Sequence, residues 1–263
     1  MSSSTDLSLE GRRALVCGAS QGIGRACAEA LAEAGASVTL LARSQERLDE
    51  VHASLSGEGH SSLTCDLSDW AAAAEVVSSH LATVGPIHIL VNNSGGPKGG
   101  PLIEANPEDL LEAMKPHLLG SHALAKALVP GMREAGYGRI INIVSTSVIT
   151  PIMGLGVSNT VRGAINNWMR TLAAELGPDG ITVNNMLPGY VGTDRLGSLI
   201  EARADRSGTT VDAVEAAWKA SIPMGRFGAP AELGAVCAFL ASPAASYVSG
   251  VNVPIDGGRL AAR

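Results

Sequence analysis

The sequence predicts a single doubly wound α/β domain of the Rossmann type, built on a seven-stranded parallel sheet, and three observations point to it. Short β-rich runs alternate with helical patterns at residues 14–17, 37–41, 62–65, 87–91, 140–144, 181–186 and 251–255, the rhythm of strand–helix–strand units. The runs around Ile89 and Ile143 are continuously apolar, as strands covered on both faces must be. A glycine-rich turn, Gly18, Gly22 and Gly24 in CGASQGIG, directly follows the first run.

The elements follow in order. With 46% hydrophobic residues and 31 glycines in 263 positions, the chain can bury a large core. No repeat, linker or composition break divides it, so residues 1–263 read as one domain. Residues 108–133 carry Leu110, Met114, Leu118, Leu124 and Leu128 on one helical stripe. The one irregular insertion, charged and alanine-rich residues 195–223, is read as a mobile helical lid between the last two strands.

Composition narrows the function. The net charge is -6 with 17% charged residues and scattered basic positions, which disfavours nucleic acid and anionic lipid as partners. Met1 to Glu10 are polar, and no run approaches the roughly 18 apolar residues of a membrane span. Cys17, Cys27, Cys65 and Cys237 have no CxxC spacing and read as reduced small hydrophobes. A cytoplasmic protein without a metal site is expected.

A strand, a glycine turn and a helix together make an anion site, because the helix N-terminus aims free N–H groups and a positive dipole end at phosphate. The spacing here is GxxxGxG, which alone is only suggestive, and its context raises it well above that. Asp66, just past the third strand, can accept from an adenine amino group or cap the segment from Ser68 onward. Asn92-Asn93-Ser94-Gly95 closes the fourth strand at the same sheet edge, where open α/β sheets bind ligands. The second strand ends Leu40-Leu41-Ala42-Arg43-Ser44 with no acid to accept from a free ribose 2′-hydroxyl. Arg43 suits a 2′-phosphate instead, so NADP is expected over NAD, although an exposed Arg at a helix start is also a common solvated residue.

At this point the chain resembles the short-chain dehydrogenase/reductase family, most closely the 3-oxoacyl-carrier-protein reductases. The match runs from about Leu9 to Gly258. It rests on GASQGIG at Gly18 to Gly24, Asp66, NNSG at Asn92 to Gly95 where the family usually has NNAG, Pro188-Gly189 with Thr193, Gly225-Arg226, and Asp256-Gly257-Gly258. The resemblance implies that Gly18, Ser20, Gly22, Ile23, Gly24, Arg43, Asp66, Asn92 and Gly95 hold the dinucleotide. It further implies that Pro188, Gly189 and Thr193 flank the nicotinamide, and that the protein is a homotetramer or homodimer joined through its long central helices.

The family's reaction centre is a Ser, a Tyr thirteen residues on, a Lys four residues later, and an Asn on the preceding long helix. Here Ser145 remains, Ser158 stands at the Tyr position, Arg162 at the Lys position and His117 at the Asn position. Hydride delivered to a carbonyl leaves an alkoxide that needs a proton donor. A Tyr starts near ~10 and an aliphatic hydroxyl near water's ~15.7, so the exchange forfeits roughly 7 kcal/mol of driving force. Arg162 can bind ribose hydroxyls and stabilise charge, but a guanidinium holds its proton. His117, on the inward stripe, is either the replacement donor or a neutral core histidine. Tyr190 is a second donor or a packing residue, and Ser147 a substrate contact or ordinary turn chemistry.

Three functions compete. The first is an NADP-dependent carbonyl or alcohol oxidoreductase with a rewired proton path: Ser145 and Ser158 clamp the oxygen, Arg162 binds the ribose, and His117 or water is the acid. The second is a dinucleotide-binding or scaffolding subunit whose chemistry has lapsed. The third is non-redox chemistry like that of halohydrin dehalogenases, which carry Arg at the Lys position but keep the Tyr and lack the glycine turn. The substrate pocket is expected under residues 95–103, 149–156 and 195–223; Met153, Leu155 and Leu196 there suggest an apolar carbonyl.

Overall fold

The computed structural model describes residues 6–262; the first five residues of the polar start lie outside them. Along the chain run β1 (Arg13–Cys17), α1 (Gly22–Glu33), β2 (Ser37–Ala42), α2 (Gln45–Ser54), β3 (Ser61–Thr64), α3 (Trp70–Val84) and β4 (Ile89–Asn92). Then come α4 (Pro107–Met114), α5 (Gly120–Glu134), β5 (Gly138–Ile143), α6 (Gly156–Leu176), β6 (Ile181–Pro188), α7 (Asp194–Ser207), α8 (Val211–Ala220), α9 (Pro230–Ala241) and β7 (Asn252–Ile255). All seven strands join one sheet in the order β3-β2-β1-β4-β5-β6-β7, every neighbouring pair parallel. The order reverses between β1 and β4, which opens a crevice at their carboxyl ends.

Each central strand is buried on both faces. Ala14 and Val16 of β1 pack with Cys27, Leu31, Leu233 and Cys237 of α1 and α9. Leu15 and Cys17 point the other way, into Leu124, Leu128 and Met169 of α5 and α6. A fully buried Leu is worth about 1.5–3 kcal/mol, so these two layers carry most of the stability. All four cysteines are free, and only Cys65 is less than fully buried.

Three expectations are refined. β5 starts at Gly138, two residues early, because that glycine is ladder rather than breaker: a Cβ there would stand 2.7 Å from Ile181. The helix read through residues 108–133 is helical throughout, α4 passing into α5 through a wide π-helical turn at Lys115–Leu119. Pro116 sits in that turn, where it lacks an N–H and its ring crowds the preceding turn. Residues 195–223 are not irregular. They form the α7–α8 pair, with its own small core of Leu196, Ile200, Ala204 and Val214 against Tyr190, Trp218 and Phe227, and α9 shares the connection from β6 to β7.

Beneath the crevice runs a row of asparagines in register. Asn92 Nδ2 donates to Asn142 Oδ1, Asn142 Nδ2 to Asn185 Oδ1, and Asn185 Nδ2 to Asn252 Oδ1, each at 2.9 Å, across the paired positions of β4, β5, β6 and β7. Among the described residues no helix is long and apolar enough to cross a membrane.

Candidate active site

The carboxyl ends of the strands open on a cleft of about 1480 Å³ that runs from the turn after β1, past the ends of β4 and β5, to the turn after β6. At its floor Gly18 and Gly22 adopt left-handed φ values of 59° and 57°, which side chains other than glycine rarely tolerate. The α1 N-terminus has no side-chain cap and no acid in its first turn, so its N–H groups stay free for an anion. Ser20 and Ile23 line the cleft beside it. A Cβ on Gly95 would meet nothing within 4 Å, because that residue faces the open cleft. This cradle fits a pyrophosphate.

Two expected ligands work from behind instead. Gly24 does not line the cleft; a Cβ there would lie 2.1 Å from the Gly18 carbonyl oxygen, so its task is to let α1 pack on the turn. Asn92 is buried in the asparagine row, and Asn93 braces the turn by donating to the Cys17 and Gly18 carbonyls at 3.3 Å.

At one end of the cleft Arg43 stands exposed, its Nη1 4.0 Å from Asp66 Oδ2. Asp66 Oδ1 accepts from the Ser68 backbone N–H at 2.9 Å, so the capping role is real, while Asp69 caps α3 itself. Arg47, one turn after Arg43, also lines the cleft and donates to Gln21 Oε1; its i+4 spacing from Arg43 was the available signal. At the other end Pro188 closes β6, and Gly189 passes so near Asp256 that a Cβ would approach to 2.7 Å. Thr193 caps α7 by accepting from the Leu196 N–H at 3.4 Å. All three line the cleft.

Between these ends the structure brings Ser145, Ser158 and Arg162 together along the same wall. Ser145 Oγ accepts from the Ser147 N–H at 3.1 Å, leaving its own hydrogen to point at a ligand. One turn of α6 separates Ser158 from Arg162, whose Nε donates to Ser158 Oγ at 3.3 Å and whose Nη1 donates to the Ile143 carbonyl at 3.0 Å. Burial, and then the neighbouring charge of Arg195, lower the Arg162 guanidinium to about 10, so it is less firmly held than an ordinary arginine yet still a cation at neutral pH.

His117 is placed differently. It sits in the wide turn, 6% exposed, and borders a separate cavity of about 580 Å³ rather than the main cleft. Its Nδ1 is 2.6 Å from Ser94 Oγ, and its Nε2 has no partner. Burial, reinforced by the Arg162 charge, lowers it to about 3. Such an imidazole is neutral at working pH and lacks the extra proton of an imidazolium, which makes it a poor direct acid. Tyr190 is a packing residue, stacked on Trp218 with centroids 4.6 Å apart. Ser147 is buried and its Oγ is unpartnered. Of the expected roof, Gly95 to Pro97, Pro151 to Leu155, Leu196 and Leu199 line the cleft, while Lys98 to Pro101 face the second cavity.

A family model described as enoyl-(acyl carrier protein) reductase matches residues 18–259. A 3-oxoacyl-[acyl-carrier-protein] reductase of Pseudomonas aeruginosa is 35% identical over 96% of the chain and 98% of its own length. The chain belongs to the short-chain dehydrogenase/reductase family. Its members extend to a gluconate 5-dehydrogenase of Gluconobacter oxydans, 34% identical over 95% of each chain. They include the crystal structure of L-sorbose reductase from Gluconobacter frateurii complexed with NADPH and L-sorbose, TM-score 0.89 at 30% identity over 97% and 98% of the two chains. YwfH, an NADPH-dependent reductase of bacilysin biosynthesis, superposes with TM-score 0.88 at 30% identity over 94% and 98%.

Against the pattern this short-chain dehydrogenase/reductase resembles, four departures stand out, and they pair in space. Ser158 and Arg162 are hydrogen-bonded, as are Ser94 and His117.

Proposed function

We propose that the chain is an NADP-dependent oxidoreductase that interconverts a carbonyl compound and its alcohol through a Ser145, Ser158 and Arg162 centre. NADPH, when bound, supplies the hydride that reaches the carbonyl carbon. Ser145 and Ser158 donate hydrogen bonds to the carbonyl oxygen as it turns anionic, and Arg162, already donating to Ser158, spreads that charge onto the guanidinium. Preset donors of this kind are worth about 3–4 kcal/mol each, enough to offset much of the missing Tyr. The proton that completes the alcohol is relayed from bulk solvent through water in the cleft, so that no hydroxide is left behind, because a serine that gave its own proton would have to be reprotonated by the same route and His117 is not an imidazolium. The single observation behind this reading is the Arg162 to Ser158 hydrogen bond on the wall that faces the Pro188 to Thr193 turn.

Arg43 and Arg47 at the far end support a 2′-phosphate, as does the NADPH in the L-sorbose reductase structure. Leu111 and Leu119, exposed on the central helices, support association of like chains through that face. Following NADPH absorbance over ketones, oxo acids and 3-oxoacyl thioesters tests the reading. Turnover of at least one class is expected, with Ser145→Ala lowering kcat about a hundredfold while NADPH binding is unchanged. Tight NADPH binding with no turnover of any of them would overturn it.

A further inference from the structure

The charge along the cleft is divided unevenly. Arg25, Arg43, Arg47, Arg162, Arg195, Arg203, Arg206 and Arg259 line it, against Glu29, Asp66 and Asp194. At the adenosine end two of the three cations are matched: Arg25 pairs with Glu29 at 2.7 Å and Arg43 lies 4.0 Å from Asp66, while Arg47 donates to the Gln21 amide. From the Arg162 wall to the far side of the Pro188 to Thr193 turn, none of the other five arginines (Arg162, Arg195, Arg203, Arg206 and Arg259) takes part in an ion pair among the described residues. In a chain of net charge -6 this is a local reversal of sign.

Arg259 is the most telling of the five. It is 7% exposed, and its Nε is buried with no hydrogen-bond partner. Its guanidinium lies 4.5 Å above the Tyr190 ring centre, and its Nη2 donates to the Tyr190 hydroxyl at 3.2 Å. An aromatic face and a phenol do not neutralise a buried cation, which ordinarily demands a paired anion. Arg162 is in the same position: it spends donors on a serine and a carbonyl, beside the like charge of Arg195. The phosphates expected on the glycine turn and at Arg43 lie at the other end. Trp218 stacks on one face of Tyr190 and Arg259 lies over the other, so the ring pair fixes where the guanidinium sits.

We infer that this end of the cleft is an oxyanion receptor centred on Arg259, so that the carbonyl compound it takes carries a compact oxyanion, a carboxylate or a phosphate monoester. The inference rests on the oxidoreductase reading of the same cleft. Arg259 fixes the anion through its planar fork, and Ser145 and Ser158 meet the carbonyl. Arg259 sets which compounds bind and takes no part in the proton or hydride transfer.

Calorimetry on the NADP-loaded protein separates the two readings, because it needs no turnover. The probes are two matched pairs: levulinate with methyl levulinate, and dihydroxyacetone phosphate with dihydroxyacetone. The charged member of at least one pair should bind about tenfold or more tightly than its neutral partner, and the pair that shows the gap tells carboxylate from phosphate. Arg259→Gln should erase that gap without changing NADPH affinity, and Arg259→Lys should restore part of it. Should both variants fail to fold, the wild-type protein still decides, because added salt must weaken the charged probe and spare the neutral one. Equal binding within both pairs, or no binding of either anion, overturns the inference. Selective anion binding without turnover would instead sink the oxidoreductase reading and leave the receptor standing.

Discussion

Acid should unfold this protein partly through one residue. Burial and, secondarily, the Arg162 charge lower His117 to about 3, from an ordinary 6.5. The folded state therefore binds fewer protons than the unfolded chain between those two values, and stability falls as pH drops through that window and is whole above it. At about 1.36 kcal/mol per unit, this one group removes about 3 kcal/mol between pH 7 and about pH 4.5, and at most about 5 kcal/mol by pH 3. His80 and His88 are lowered in the same direction by burial and add to the slope. A His117→Asn variant isolates the contribution, since the other histidines are common to both proteins. Urea unfolding at pH 7, 5.5 and 4.5 should show the variant losing about 3 kcal/mol less than the wild type over that range, whatever its stability at pH 7. Parallel losses in the two proteins would refute the claim that His117 is held neutral, and would reopen it as a proton donor.

Two further outcomes follow from the cleft. Arg43→Ala should raise KM for NADPH about ten- to a hundredfold, the worth of a charge-assisted hydrogen bond, and leave NADH kinetics unchanged; equal effects on both cofactors would exclude a 2′-phosphate at that end. Gly24→Ala forces a Cβ to 2.1 Å from a backbone oxygen, and overpacking of this kind costs about 1–3 kcal/mol or more. A drop in the urea midpoint together with weakened NADPH binding is expected, and an unchanged midpoint would show that α1 packs less tightly than described.

Most of the sheet was legible, because strands buried on both faces leave unbroken apolar runs, and the glycine turn announces itself locally. What escaped is what depends on distant partners. The asparagine row joins residues 92, 142, 185 and 252, and no spacing in the chain hints that their amides meet. The wide turn within the 108–133 helix holds Pro116, whose effect the apolar stripe masked. His117 was rightly read as inward-facing, yet whether an inward imidazole titrates depends on its burial and on Arg162 above it, which only the folded geometry sets. Arg259 lies in the tail, where an arginine reads as solvated until the Tyr190 ring is seen beneath it.

The asparagine row also has a polarity: every amide donates toward β7, and at its head the Asn92 Oδ1 remains a buried acceptor without a donor. Sliding either inner strand tip, of β5 or β6, would sever two bonds of the row at once, and sliding an outer one would sever one, stranding amide groups away from water at about 1–3 kcal/mol apiece. The four tips therefore behave as one stiff plank. Accommodation to molecules of different size must come from above, by tilting of the α7–α8 pair on its separate small core, while the serines and the nicotinamide turn keep their spacing.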